Sequence, residues 1–397
     1  GVVSVTNRHD FTDLGRYAFR WKMLRDGENF AEGVFSVKAV PGATEDVTLR
    51  LPAIPEDGSE YLLNLSAVTK ESTDLVPEGY ELASEQLLLS AGRPFEASVV
   101  GSDRKLSYEL SGDLLSFSSG GVKGEINLKT GMLSGYDVDG HKTFTQYPEP
   151  AFWRAPVDND FGNKMPLLSG VWRTAHNNRF VESAAVGEMT SEGLPVKVRW
   201  ILKDIGVPYT VDYLIRHDAS VLVTASVDMK GHRLPELPRF GMRMELPEGY
   251  ENLAYYGRGP HENYSDRKTS AYLGRYDDKV ANQYFEYMRP QESGNKTDVR
   301  WLSLMDDDGY GLRVRGIGQP IAFTALHFAP EDLDAGLTRK LQHAPDVVPR
   351  KTITLHVDLA QRGVGGDNSW GELPHKPYRL LGDSYSYSFL IEPIIGH

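Results

Sequence analysis

The chain has 397 residues with 43 basic against 55 acidic side chains, a formal charge of −12 that disfavours a nucleic-acid partner. Its 40% hydrophobic and 25% charged residues exclude disorder as the main state, and no apolar run is long enough for a membrane-spanning helix. Cysteine is absent, which removes thiol catalysis, disulfides, iron–sulfur clusters and thiolate-bound zinc. The chain opens on Gly1 without a charged and then apolar leader, so it reads as a mature, trimmed or excised piece.

Taken in chain order, strand signals dominate. Tyr17, Phe19 and Trp21 alternate with Ala18, Arg20 and Lys22, giving residues 1–89 an aromatic core stripe. Phe35, Val37 and Ala39 alternate with Ser36 and Lys38 in the same way. With turns at Asp26-Gly27 and Asp57-Gly58, about seven short strands fit an immunoglobulin-like sandwich. Residues 90–104, through Gly92-Arg93-Pro94, read as a connection. Residues 105–397 continue with period-two runs at Val196, Val198 and Trp200 and at Val221, Val223, Ala225 and Val227. Turn dipeptides recur at Thr130-Gly131, Asp139-Gly140 and Asp308-Gly309. A single helical turn is expected at Pro330-Glu331-Asp332-Leu333, where acidic residues follow a proline. The fold class is all-β: an immunoglobulin-like sandwich followed by a large antiparallel supersandwich.

The zinc-protease, nucleophile-elbow, dinucleotide and P-loop signatures are all missing. Four polar–aromatic clusters on apparent loops remain. The first runs from Phe152 to Gly162 and holds Arg154, Asp158, Asn159 and Asp160; the two aspartates would either bind a hard cation or fix the loop through its own amides. The second, Tyr255–Arg267, contains His261, Glu262 and Asn263. The His–Glu pair suggests acid–base work, but neighbouring strand residues face opposite ways, which favours scaffolding or an interface. The third, Tyr287–Asn295, carries Arg289 and Glu292 and reads as a capped turn or interdomain contact. The fourth, Gly363–Gly371, puts three glycines before Asp367, Asn368, Ser369 and Trp370. Such a loop presents a flat indole to a sugar face or to a partner.

At these clusters the sequence resembles the C-terminal part of family-2 glycoside hydrolases of the β-galactosidase type. The matching strings are FWRAPVDNDFG (152–162), YGRGPHENYSDRKTSAYLGRY (256–276), MRPQESGN (288–295) and GVGGDNSW (363–370), with Val3–Asn7, Phe11–Leu14 and Tyr17–Trp21 resembling the preceding sandwich domain. The resemblance implies a supersandwich similar to galactose mutarotase, covering a catalytic barrel that this chain does not contain. It implies retaining hydrolysis of terminal β-D-galactosides by two barrel glutamates, so that no catalytic residue lies in this chain. Trp370 is implied as the sugar-stacking platform, with Asn368 and Asp367 beside it, and Gly162 as the hinge of a mobile loop continuing through Asn163-Lys164-Met165-Pro166. Arg154, Asp158, Asn159, Asp160, His261, Glu262, Asn263, Arg289 and Glu292 take structural or interface roles. The expected partners are a galactoside and the missing barrel, without nucleic acid or membrane. No cofactor is expected for this chain, with calcium or magnesium reserved for the full-length enzyme and Asp158 and Asp160 as its only candidate ligands here. Export to the periplasm is favoured over a cytoplasmic location. The alternatives are a stand-alone galactoside-binding module and an aldose mutarotase using His176, His261, Glu262 or Glu292.

Overall fold

The computed structural model describes residues 1–97, 104–340, 343–368 and 370–396. Part of the expected connection (98–103) and Ser369 lie outside the described residues. The chain divides into two compact units, Gly1–Pro94 with Leu273–Arg275, and Phe95–Tyr272 with Tyr276–His397.

The first unit is a small sandwich. A four-stranded antiparallel sheet runs in the order Glu28–Phe35, Tyr17–Arg25, Tyr61–Thr69 and Glu81–Ser90, and Val2–Thr6 pairs with Thr44–Thr48. The aromatic stripe faces inward: Phe19 and Trp21 are buried and Arg20 and Lys22 are exposed. Asp26 and Gly27 both have positive φ, 48° and 83°, which closes the hairpin from Arg25 to Glu28 with a right-twisted two-residue turn. The expected strand over 35–39 is not formed, because the ladder ends at Phe35. Val37 and Ala39 nonetheless pack inward beside Leu14 and Phe19. The alternation there reports burial alone: the Ala39 carbonyl accepts from the Leu14 amide and from Asn7 Nδ2, not from a neighbouring strand.

The second unit is a supersandwich. Its nine-stranded sheet runs Arg179–Val186, Leu194–Leu202, Val207–Ile215, Val221–Asp228, Ser384–Ile394, Gly311–Ile317, Trp301–Met305, Asn252–Gly259 and Tyr272–Lys279. One five-stranded sheet has Arg239–Leu246 and Ile353–Gln361 near its centre, and another contains Leu114–Ser119, Val122–Asn127 and Met132–Val138. The pairings Leu194–Leu202 with Val207–Ile215, Arg239–Leu246 with Ile353–Gln361 and Leu114–Ser119 with Val122–Asn127 are antiparallel, and inward side chains of the three sheets share one core that includes Phe117, Trp200, Val223, Met242 and Leu355. In Leu194–Leu202 the period-two pattern does what it predicts: Val196, Val198 and Trp200 are buried, Lys197 and Arg199 exposed. The Trp200 indole N–H still finds an acceptor, the Thr130 carbonyl at 2.9 Å, so its burial leaves no polar atom stranded.

The expected turn of helix stands at Pro330–Leu333. Two more, at Asp158–Gly162 and Met165–Leu168, replace what the sequence suggested was plain loop. The first forms because the Asp160 carboxylate accepts the Val157 amide three residues back, at the start of the helix. Among the described residues, no helix is long and apolar enough to cross a membrane.

Candidate functional site

The first and fourth clusters are built on one buried charge network. Arg154, Asp160 and Arg362 are all fully buried. Arg154 Nη2 donates to both oxygens of Asp160 at 3.0 and 2.9 Å, and Arg362 Nη1 donates to Asp160 Oδ1 at 2.6 Å. Glu236 adds a second carboxylate by accepting from Arg362 and from the partly exposed Arg379, so the network holds three guanidinium groups against two carboxylates. Arg154 also donates to the Arg362 and Gly363 carbonyls. The first cluster therefore grips the start of the glycine loop directly. Asn159 Nδ2 adds a bond to the Val364 carbonyl at 3.0 Å.

Asp266 holds the loop from the second cluster. Its carboxylate accepts the Val364 and Gly365 amides at 3.1 and 2.8 Å. A Cβ added at Gly363 would lie 2.5 Å from Asp266 Oδ2, so the glycine there admits the close approach of the carboxylate. Further along, Asn368 Oδ1 accepts the Trp370 and Glu372 amides, and Asp367 pairs with His375 at 2.9 Å. Asn368 and Asp367 are thus engaged in shaping the loop end. Trp370 itself is 80% exposed, carried outward on a rigidly anchored base. At Gly162 an added Cβ would lie 3.2 Å from the backbone of Trp370 and Gly371, so this glycine admits the close approach of the two segments.

The third cluster closes the site. Arg289 Nη1 pairs with Asp158 at 2.9 Å, and the Glu292 amide donates to the Ala155 carbonyl. Glu292 is buried and accepts from Arg239 Nη2 at 2.9 Å. Arg239 Nε lies 3.1 Å from Asp358 Oδ2 in an ion contact that lacks hydrogen-bond geometry. Burial pushes the Asp358 carboxyl up to about 7, with Glu292 adding to the rise and Arg239 opposing it. Beside it, burial and then the neighbouring arginines hold the His356 ring far below its usual range, so it is neutral.

Asn263 ties the second cluster to the third, its backbone exchanging bonds with Asn295. Its amide group donates to the Arg258 and His261 carbonyls, and its oxygen accepts from the Thr297 amide and hydroxyl. Glu262 accepts from Tyr287, from Arg267 at 2.5 Å and from the Gly294 amide at 2.7 Å. The strand before this pair ends at Gly259, so His261 and Glu262 do not alternate across a sheet, and both border one cavity. This corrects the strand-based expectation that they diverge. Each is engaged elsewhere, His261 Nε2 with Ser270 Oγ at 3.1 Å, and among the described residues neither His176 nor His261 bonds to Glu262 or Glu292.

A recess of about 200 Å³ is lined by residues from all four clusters: Val157 to Asn159, Tyr264 and Arg267, Tyr287 with Gln291 and Glu292, and Val364. That convergence is invisible in the sequence, where the first and fourth clusters are some 200 residues apart. A divalent cation does not fit here. The Asp160 oxygens are filled by two guanidinium groups and an amide, and Asp158 is paired with Arg289. No group of three or more His, Asp or Glu side chains among the described residues is arranged to hold a metal.

Residues 118–391 match the family described as β-galactosidase small chain, and residues 3–90 match β-galactosidase domain 4. The chain belongs to the β-galactosidase small-chain family. It is 30% identical to a β-galactosidase of Priestia megaterium over 99% of its own length and 38% of that protein. It is 29% identical to one of Streptococcus thermophilus, over 99% of its length and 37% of that protein. The chain therefore spans under two-fifths of the length of these relatives. A galactose 1-epimerase structure from Lactobacillus acidophilus covers 74% of the chain at TM-score 0.40 and 9% identity, too distant to carry an argument.

Sequence reasoning did not single out Asp266, Glu236, Arg362 or Asp358. Asp266 stood inside a matched string, which was the one available signal. The other three lie in strands or connections whose partners are remote in sequence.

Proposed function

We propose that this chain is the non-catalytic C-terminal part of a retaining β-galactosidase, presenting Trp370 to the sugar while a catalytic barrel outside this chain breaks the glycosidic bond. The observation that carries this reading is the convergence of the four clusters on one recess, next to an anchored loop that holds an indole in solvent. At about 200 Å³ the recess is smaller than the roughly 300–1,000 Å³ of complete small-molecule sites. That size supports a half-site completed by other polypeptide. The engaged state of His261, Glu262 and Glu292 supports it too, because a mutarotase needs an acid and base free to meet the substrate.

In this reading the bond chemistry belongs to two barrel carboxylates, and this chain contributes sugar stacking and exclusion of water. By analogy with aromatic–base stacking, an indole on a pyranose face contributes ~1–3 kcal/mol. The chain needs no cation of its own, and the protein containing it is exported to the periplasm; fractionation of the producing cell checks the latter. The direct test is hydrolysis of a nitrophenyl β-D-galactoside by the purified chain. We expect none, and turnover that copurifies with the chain and survives removal of contaminating enzyme contradicts the reading.

A further inference from the structure

A second cavity, of about 450 Å³, opens between the turn that starts at Pro260 and the segment around Tyr284–Tyr287. Its volume falls within the range of small-molecule sites, roughly 300–1,000 Å³. We propose that this cavity is a saccharide-binding site that takes a pyranose ring against Phe285. The proposal stands on this cavity's own geometry and does not depend on the role assigned to Trp370.

The charge pattern excludes the simpler ligands. Glu262 and Asp278 face the cavity, as do Arg267 and Lys296. A free anion would meet two carboxylates, and a free cation would meet a guanidinium and an ammonium. A neutral polyol meets neither obstacle and uses both kinds of group, since its hydroxyls donate to carboxylates and accept from the cations.

The polar groups are fixed before any ligand arrives. Glu262 is held by Tyr287, Arg267 and the Gly294 amide. Asp278 accepts from Asn282 and Gln283, both at 2.7 Å. Lys296 is buried, and its ammonium donates to Gln283 Oε1 at 2.9 Å and to the Gly294 carbonyl at 3.2 Å. Burial draws this amine down to about 8, against the opposing pull of Glu262 and Asp278. Pre-organised groups of this kind reduce the ordering cost of binding.

The aromatic element completes the pattern. Phe285 is 56% exposed, and its ring packs on Tyr287 with centroids 4.6 Å apart. A half-exposed ring braced from one side offers its other side to an apolar surface, and the C–H face of a pyranose is such a surface.

The test uses the full chain carrying Trp370→Ala, so that stacking at the glycine loop makes no contribution. It is titrated calorimetrically with methyl β-D-galactopyranoside and with methyl β-D-glucopyranoside. Saturable binding of at least one glycoside is expected, weakened roughly 5- to 150-fold when Phe285→Ala is added. Asp278→Asn, which keeps the side-chain shape, is expected to weaken binding as well. Absence of saturable binding of both glycosides, or binding unchanged by Phe285→Ala in a chain with an unaltered melting temperature, overturns the proposal. Neither result bears on Trp370, so failure here is separable from failure of the galactosidase reading.

Discussion

The base and the tip of the glycine loop differ as sharply as two parts of one loop can. At its base, Arg154, Asp160 and Arg362 are fully buried and their charged ends bond one another. At its tip, eight residues after Arg362, Trp370 is 80% exposed. Buried ion networks are weak evidence for stability but hold one geometry firmly, because any alternative strands a charge. An exposed indole contributes little to folding. The contrast teaches that the polar residues gripping the glycine loop act as its scaffold and that the indole is what they hold out.

Substitutions at the two ends should separate these roles, and the largest effect lies at the base. Asp160→Ala leaves two buried guanidinium groups facing each other and should cost ~3–5 kcal/mol in chemical denaturation. A loss below about 1 kcal/mol would mean that the network is not the anchor. Gly162→Ala comes next. Its new Cβ meets the Trp370–Gly371 backbone at 3.2 Å, and overpacking of this kind costs ~1–3 kcal/mol. The same variant should shift the Trp370 fluorescence maximum, since the tip must move to make room.

Asp358 gives a pH-dependent version of the comparison. Its carboxyl is raised from 3.8 to about 7 in the folded chain, mainly by burial. The native state therefore binds this proton more tightly than the unfolded chain. The stability it contributes is full below pH 3.8 and is lost as pH rises to about 7. Relative to Asp358→Asn, the wild-type chain should lose up to ~1.4 kcal/mol per pH unit across that window. A stability difference that stays flat with pH would show that the group does not titrate there. The smallest effect belongs to the tip, where Trp370→Ala should change stability by less than ~0.5 kcal/mol.

Much of the fold was legible because burial has a period. Val196, Val198 and Trp200 announced their strand, and Asp26-Gly27 announced its hairpin by the positive φ that both positions adopt. At Val37 and Ala39 the same period misled, since it records which side chains face inward and is blind to where the backbone bonds go. The short helix at Asp158–Gly162 escaped because one side-chain cap decides it and no apolar period accompanies it. For the site, residue types and strings marked the four segments, and the resemblance carried their meaning. What the sequence could not display was the assembly: Asp266 seizing the Val364 and Gly365 amides, or Glu292 meeting Arg239, depends on sheet order across long separations. The Lys296 cavity was unread for the same reason, since its walls come from three separated stretches.

The central claim is that the indole at 370 binds sugar and takes no part in bond breaking. Steady-state hydrolysis by the enzyme containing this chain, with and without Trp370→Ala, tests it most directly. The account predicts KM raised roughly 5- to 150-fold with kcat little changed. A kcat lowered about tenfold at unchanged KM would contradict it, because it would place the indole's contribution in the transition state alone.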